Sequence, residues 1–91
     1  MDKKRNKLEI VHDILVVIKD KNGRIKPTHV LYKSNLSYSM MEQYLEELIS
    51  NGLIKEIKLK KGKTYQITEK GLSYISQYSL IKNFAESFGL D

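Results

Sequence analysis

The fold is decided between residues 27 and 68, which read PTHVLYKSNLSYSMMEQYLEELISNGLIKEIKLKKGKTYQIT. Pro27 suits the first turn of a helix, where its missing N–H leaves no hydrogen bond unmade, so we predict a short helix over residues 27–34. Asn35 tolerates the left-handed backbone of a tight connection, and Ser37 is a candidate N-cap for the next helix. Two helices joined by a tight turn are therefore expected.

The helix after this turn has an apolar face and a defined end. Its apolar residues recur at helical spacing, and they are Met41, Tyr44, Leu45 and Leu48. Asn51 and Gly52 form a left-handed C-cap signal. Ser39 with Glu42 is a capping box that rivals Ser37, so two starting positions remain open.

Beyond Gly52 the apolar period changes to the two-residue period of a strand. Lysines alternate with apolar residues, and Lys61-Gly62 provides a turn between two such runs. The pattern predicts a β-hairpin whose inward side chains are Ile57, Leu59, Tyr65 and Ile67.

Longer helices are predicted on both sides of this unit. Residues 6–20 carry apolar side chains at helical spacing, and Ile25 is a candidate for a short strand in the connection that follows. Thr68 can cap a last helix that runs to about Phe88. A helix of about 20 residues is roughly 30 Å long.

The predicted order is helix, helix, tight turn, helix, hairpin and long helix. A two-stranded hairpin is marginal by itself, so we expect it to dock on the helices. A helix-turn-helix followed by a hairpin is typical of winged-helix domains, in which the third helix faces the DNA major groove and the hairpin is a wing beside it. We therefore predict a mainly α, α+β fold, with a winged-helix DNA-binding domain over residues 1–70 and a C-terminal dimerisation helix over residues 71–91.

Four stretches of the chain resemble a family of archaeal winged-helix proteins: residues 31–38 (LYKSNLSY), 44–48 (YLEEL), 52–54 (GLI) and 65–71 (YQITEKG). The family includes small basic chromatin proteins and predicted transcriptional regulators of Sulfolobus and its relatives. The resemblance covers nearly the whole chain, including the long last helix. It implies DNA binding by a dimer joined through that helix as an antiparallel coiled coil, and both a chromatin role and a repressor role are compatible with it.

Composition narrows the class of protein. The 91 residues suit one domain, and 16 Lys and Arg against 11 Asp and Glu give a formal net charge of +5. The absence of cysteine excludes disulfide scaffolds, thiolate zinc sites and cysteine nucleophiles. No apolar run reaches the roughly 18 residues that a membrane span needs. We expect a cytoplasmic, nucleoid-associated protein.

No pattern predicts catalysis or metal binding. His12 and His29 come from separate helices without carboxylates at ligand spacing, so solvated or capping histidines are the better interpretation. No nucleophile, base and orienting group occur together. We predict a protein that is not an enzyme, with no cofactor, no metal and no evident small-molecule ligand.

The hairpin carries the clearest charge signal. Five lysines between residues 55 and 63 stand against a single acid, Glu56. Lysines at a hairpin tip can reach DNA phosphates, whereas the alternative is that they protect exposed strand edges from aggregation. Phosphate contact is favoured because the lysines are concentrated in the hairpin, which in a winged-helix domain lies beside the DNA. The basic segment over residues 3–7 is either a solvated tail or a DNA-contacting arm.

The third helix gives a weaker signal. Gln43 can hydrogen-bond adenine, and Ser39 and Tyr38 can reach a phosphate or a base edge. The helix has no Lys or Arg but three glutamates, so any recognition of bases must come from its N-terminal turn. The alternative is that this face of the helix is solvated and does not contact the groove. The predicted DNA-binding residues are Lys33, Ser37, Tyr38, Ser39, Met40, Gln43, Lys58, Lys60, Lys61 and Lys63.

The last helix carries a heptad stripe. The predicted dimer interface is Tyr74, Tyr78, Ile81, Phe84, Ala85 and Phe88. The alternative is that the helix folds back over its own domain, but a core this small does not cover about 20 residues of helix. Exposed phenylalanines would form an apolar patch that a monomer rarely tolerates, so self-association is favoured.

We therefore predict a homodimer that binds double-stranded DNA, as a transcriptional regulator or a chromatin-associated protein. The alternative is a winged-helix subunit that binds other proteins in a larger complex without direct DNA binding. The acidic third helix is the feature that favours this alternative.

Overall fold

A computed structural model describes residues 6–21 and 23–89 of the chain. Its elements are α1 (Lys7–Lys21), α2 (Pro27–Ser34), α3 (Tyr38–Ser50), β1 (Ile54–Lys58), β2 (Lys63–Ile67) and α4 (Glu69–Ser87). The predicted order and the mainly α class with one hairpin are confirmed.

The connection between α2 and α3 forms as its residue types dictate. Asn35 adopts the left-handed conformation, with φ 55° and ψ 47°. The Ser37 Oγ accepts a hydrogen bond from the Met40 N–H at 3.2 Å. Ser37 rather than Ser39 is therefore the N-cap of α3, which decides between the two predicted starts. Ser37 is also a predicted DNA-binding residue, so its side chain has a structural role as well.

The hairpin is antiparallel, with Ile54 opposite Ile67 and Lys58 opposite Lys63. Tyr65 is buried, and Ile67 packs against the core, as predicted. Both strands are short, so the hairpin depends on contacts with the helices.

The predicted inward position of Leu59 is wrong. β1 ends at Lys58, and Leu59 lies in the turn with 48% of its surface exposed. Its N–H donates to the Gly62 carbonyl at 2.9 Å, which closes the turn. Ile54 is paired with Ile67, and Glu56 with Tyr65. Because successive side chains of a strand alternate between faces, Ile57 and Leu59 lie on the face opposite to Tyr65 and Ile67, and the predicted grouping of these four side chains on one inward face is wrong. Ile54 at the start of β1 is the buried residue of this strand instead.

Ile25 forms the predicted short strand as a single bridge to Tyr65. The Tyr65 N–H donates to the Ile25 carbonyl at 3.1 Å, and the Ile25 side chain is fully buried. This bridge attaches the hairpin to the connection between α1 and α2. It supplies the docking that an isolated hairpin lacks.

The core lies where the first three helices meet the hairpin. Its buried apolar residues are Ile10, Val11, Ile14, Leu15, Ile18, Ile25, Val30, Met41, Leu45, Leu48, Ile54 and Tyr65. Removal of these side chains from water is the main force that holds the helix-turn-helix unit in shape.

α4 begins against this core and then leaves it. The Thr68 Oγ1 accepts a hydrogen bond from the Gly71 N–H at 3.1 Å, which is the predicted cap. Gly71 is buried so closely that a Cβ atom there would lie 2.6 Å from the Ile67 Cγ1. Tyr74 and Ile75 still pack against the core, whereas the second half of the helix is largely exposed. Over residues 6–21 and 23–89, no helix has the length and hydropathy to cross a bilayer.

Candidate nucleic-acid interface

The wing presents five exposed lysines, of which all but Lys55 are predicted DNA-binding residues: Lys58, Lys60, Lys61 and Lys63. Lys58 and Lys63 are cross-strand partners, and like charges placed directly opposite each other are destabilising. The Glu56 carboxylate partly offsets this repulsion, since its Oε2 lies 3.5 Å from the Lys63 Nζ. The wing tip retains uncompensated positive charge, which an anionic partner would stabilise.

A groove with both polar and apolar walls joins the wing to α3. Tyr38, Glu42, Glu56 and Lys63 line it, and its volume is about 150 Å³. The Tyr38 hydroxyl donates a hydrogen bond to the Glu42 carboxylate, which raises the Tyr38 pKa above its ordinary value. The pKa of Lys63 is also raised, first by Tyr65 and then by Glu56. The structure thus brings Tyr38 and Lys63, two predicted DNA-binding residues, to one surface.

The exposed face of α3 has the orientation that the sequence predicts. Leu45 and Leu48 are only 3% and 2% exposed, whereas Ser39, Met40 and Gln43 are open to solvent. The N-terminal half of α3 therefore offers polar side chains on its outer face.

An ion pair with α1 compensates part of the acidity of α3. The Lys7 Nζ lies 2.6 Å from the Glu47 Oε1, and this hydrogen bond raises the pKa of Lys7. Lys7 and Glu47 border a hollow with Met40, Gln43 and Tyr44. Lys7 was predicted only as the end of a basic tail or DNA-contacting arm over residues 3–7, of which residues 3–5 lie outside the described residues. Nothing in the local pattern pairs it with a residue 40 positions later.

Lys33 lies in a different cluster from the other predicted residues. It borders a hollow of about 350 Å³ with Lys21, His29 and Tyr32. The Tyr32 side chain is 88% exposed between these basic groups. Lys21 and Tyr32 were missed, although the spacing of His29, Tyr32 and Lys33 already places them on one helical face.

The first half of the predicted dimer stripe contacts α1 of its own chain. The Tyr74 hydroxyl donates to the Leu8 carbonyl at 2.9 Å, and burial raises the Tyr74 pKa. The Tyr78 ring stacks on His12, with ring centroids 4.3 Å apart. His12 is thus a packing partner of α4 rather than the solvated or capping residue of the sequence interpretation. Among the described residues, no group of three or more His, Asp or Glu side chains could hold a metal ion.

The second half of the stripe is open. Ile81, Phe84 and Phe88 are 69%, 67% and 65% exposed, and Ala85 is half-buried. The Phe84 and Phe88 rings pack on each other with centroids 4.8 Å apart. An apolar patch of this kind on a protruding helix marks an interaction surface.

Comparison with known proteins identifies the fold and its relatives. The family model described as winged helix-turn-helix matches residues 4–86. An uncharacterized protein from Methanocaldococcus jannaschii is 36% identical over 80 residues, which cover 87% of this chain and 76% of the relative.

Solved structures agree with the family match. Sso10a-2, a DNA-binding protein from Sulfolobus solfataricus, has a TM-score of 0.80 and 26% identity, and the match covers 92% of this chain and 85% of that one. SSV1 F-93 has a TM-score of 0.64 and 22% identity, with coverage of 92% and 99%. The predicted resemblance to archaeal winged-helix proteins is confirmed.

Proposed function

The chain belongs to the winged helix-turn-helix family, and from this premise we propose that it binds double-stranded DNA as a regulator or chromatin-associated protein. The observation that carries the proposal is the groove through which Tyr38 and Lys63 join the outer face of α3 to the wing. One DNA duplex can then meet both elements, as in other winged-helix complexes. The similar Sso10a-2 is described as a DNA-binding protein, which supports this function.

In this complex the N-terminal half of α3 enters the major groove. Ser39, Met40 and Gln43 face the bases, because they are exposed and lie on the side of α3 away from the core. An amide such as that of Gln43 can form two hydrogen bonds with adenine. Glu47 is paired with the Lys7 cation. The Glu42 carboxylate accepts from the neutral Tyr38 hydroxyl and keeps its charge, so the wing lysines must offset the repulsion between α3 and the phosphates.

The wing and α2 supply the phosphate contacts. Lys58, Lys60 and Lys61 neutralise one stretch of backbone, and Lys33 reaches a second stretch from α2. Each contact releases condensed counterions, so affinity falls as salt rises. Phosphate contacts hold the protein in register, and the bases opposite α3 provide selectivity.

We assign residues 71–91 to dimerisation and residues 1–70 to DNA binding. The exposed stripe of α4 supports a two-fold interface, in which one surface serves both partners. Two linked DNA-binding domains bind one duplex with avidity that neither has alone. A protein of this kind acts in the cytoplasm at the nucleoid.

Fluorescence anisotropy with a labelled duplex of about three helical turns tests DNA binding. We expect saturable binding whose affinity falls steeply across a salt series, with weaker binding of a single strand of the same length. The Gln43→Ala variant should change the preference between duplex sequences. If the duplex fails to bind even at low salt, DNA binding is refuted.

A second candidate function is protein binding without DNA contact. Glu46 lines the groove between α3 and the wing together with Glu42 and Glu56, so this face suits a basic peptide. The anisotropy series distinguishes the two functions, because a protein-binding subunit shows no salt-dependent affinity for duplex DNA.

Sedimentation velocity tests the dimer. The unmodified chain should sediment as a dimer at micromolar concentration, and Ile81→Glu should sediment as a folded monomer, because it places two carboxylates close together in an apolar interface. Asn83→Glu, on a different face of α4, is the matched control and should remain dimeric. A monomeric unmodified chain would contradict the assignment.

A further inference from the structure

The outer face of α2 carries an aromatic ring among basic side chains. Tyr32 is 88% exposed, which is more than any other large apolar or aromatic side chain of the described residues. Lys21, His29 and Lys33 border the same hollow, whose volume is about 350 Å³. Small-ligand sites begin at about 300 Å³, so the hollow has room for a flat ring together with a charged group.

Helical spacing explains why these side chains share one face. Tyr32 and Lys33 follow His29 by three and four residues, so all three lie on one side of α2. Val30, on the opposite side, is buried in the core and fixes the rotation of the helix. Lys21 joins the cluster from the last residue of α1. The fold therefore holds the ring and the basic groups together at the surface.

The Tyr32 ring has no partner within residues 6–21 and 23–89, where it forms neither a hydrogen bond nor a ring contact. In contrast, the Tyr38 hydroxyl donates to Glu42, and the Tyr78 ring stacks on His12. A single exposed aromatic residue needs no explanation by itself. The combination of an open ring with surrounding cations is what points to a ligand.

The charge of the hollow selects an anion. Lys21 and Lys33 provide two ammonium groups, and among the described residues no carboxylate lines the hollow. The groove between α3 and the wing differs, because three glutamates lie in its wall. A nucleic acid strand offers a negative phosphate and a flat base in each nucleotide. Proteins that bind single strands combine cationic grooves with aromatic rings on which bases stack.

We propose that this surface, here called the Tyr32 face (Lys21, His29, Tyr32 and Lys33), binds single-stranded DNA. One unpaired base stacks on the Tyr32 ring, and Lys21 and Lys33 hold the flanking phosphates. Inside a duplex the face of each base is covered by its neighbours, so only an unpaired base can use the ring. The site goes beyond the proposed duplex complex and does not depend on base contacts by α3.

The length of α1 separates the Tyr32 face from the outer face of α3. Lys7, the first residue of α1, borders the hollow on α3, whereas Lys21, the last residue, borders the hollow at Tyr32. The 15 residues of α1 place these ends about 20 Å apart. A strand on the Tyr32 face therefore leaves α3 free for a duplex. Lys33, which we also assign to the duplex backbone, is common to both surfaces and is left intact in the tests.

A tryptophan reporter tests the stacking directly, because the chain contains no tryptophan. The Tyr32→Trp variant keeps a flat ring at an exposed position, and an oligothymidylate of about 12 nucleotides should quench its emission. An abasic strand of the same length keeps the phosphates without the bases and should leave the emission nearly unchanged. Equal quenching by both strands would overturn the stacking.

Tyr38→Trp, in the groove beside the wing, is the matched control for the position of the strand. The oligothymidylate should quench it less than it quenches Tyr32→Trp. Stronger quenching of the control would show that the strand lies between α3 and the wing, and would overturn the assignment to α2.

Anisotropy with labelled oligothymidylate separates stacking from a phosphate contact of the hydroxyl. Tyr32→Ala should weaken binding by about 5-fold to 150-fold, which is the range for loss of one stacked base. Tyr32→Phe keeps the ring and should bind as the unmodified chain does. An equal loss in both variants would show that only the hydroxyl matters and would overturn the stacking. Lys21→Ala should lower the slope of log affinity against log salt by about 0.7, the value for one phosphate of a single strand.

Duplex titrations keep this proposal distinct from the proposed function. Tyr32→Ala should bind the duplex as tightly as the unmodified chain does. If that variant also binds oligothymidylate as tightly, the Tyr32 face is refuted while duplex binding stands. If the unmodified chain binds oligothymidylate with the expected Tyr32 dependence but no duplex, duplex binding is refuted while the Tyr32 face stands. Tighter binding of an oligouridylate of the same length would refute DNA as the ligand of this face.

Discussion

Loss of two lysines at the wing tip should reduce the salt dependence of DNA binding by a calculable amount. Lys60 and Lys61 are exposed in the turn between the strands, and neither forms an ion pair within residues 6–21 and 23–89. Lys63 is left intact, because its ammonium already lies 3.5 Å from the Glu56 carboxylate and part of its charge is compensated. The Lys60→Ala/Lys61→Ala variant therefore removes two exposed, unpaired cations at the wing tip.

The expected change follows from counterion release. Each neutralised phosphate contributes about 0.9 to the slope of log affinity against log salt, so the variant should lose about 1.8 for each wing on the duplex. Between about 50 and 200 mM salt, the affinity advantage of the unmodified chain should then shrink by about 12-fold per wing. With both wings of a dimer bound, the loss of slope should be about 3.6.

Anisotropy titrations across that salt range measure the slope. Lys19→Ala/Lys82→Ala removes the same charge from α1 and α4, away from the wing, and serves as the control. Unchanged melting temperatures would show that both variants fold. If the wing variant keeps the unmodified slope, or if the control loses as much, the wing does not contact phosphate.

Three further predictions concern stability and the orientation of α3. Leu48→Ala should destabilise the domain by about 2–5 kcal/mol in thermal or urea unfolding. Gln43→Ala should leave the melting temperature nearly unchanged and alter DNA binding. If the two variants lose the same amount of stability, the orientation of α3 is wrong. Gly71→Ala should lower the melting temperature although alanine is the better helix former by about 1 kcal/mol, because the new Cβ would overlap the Leu53 carbonyl oxygen and the Ile67 side chain. Ser76→Ala on the exposed face of α4 should be neutral or slightly stabilising. Thr68→Ala should cost about 1 kcal/mol in urea unfolding through loss of the α4 cap, and an unchanged midpoint would show that the cap contributes nothing.

Local features were determined by the sequence alone because they depend on neighbouring residues. The left-handed Asn35, the Ser37 and Thr68 caps and the change from helical to strand period each follow from a few consecutive side chains. Together they predicted the order of elements, and that order predicted the winged helix. Ile57 and Leu59 show the limit of the same reasoning, since the two-residue period of one strand does not give its register with the partner strand, which here places Tyr65 and Ile67 on the other face.

Contacts between distant segments were decided only by the tertiary structure. The Lys7–Glu47 ion pair joins residues 40 positions apart, and the Tyr74–Leu8 hydrogen bond spans 66 positions. Neither has a local signal, because each depends on where the core places two helices after they pack. The heptad stripe of α4 was visible in the sequence. However, only the packed structure shows that its first half lies against α1, while its second half, with Phe84 and Phe88, remains exposed.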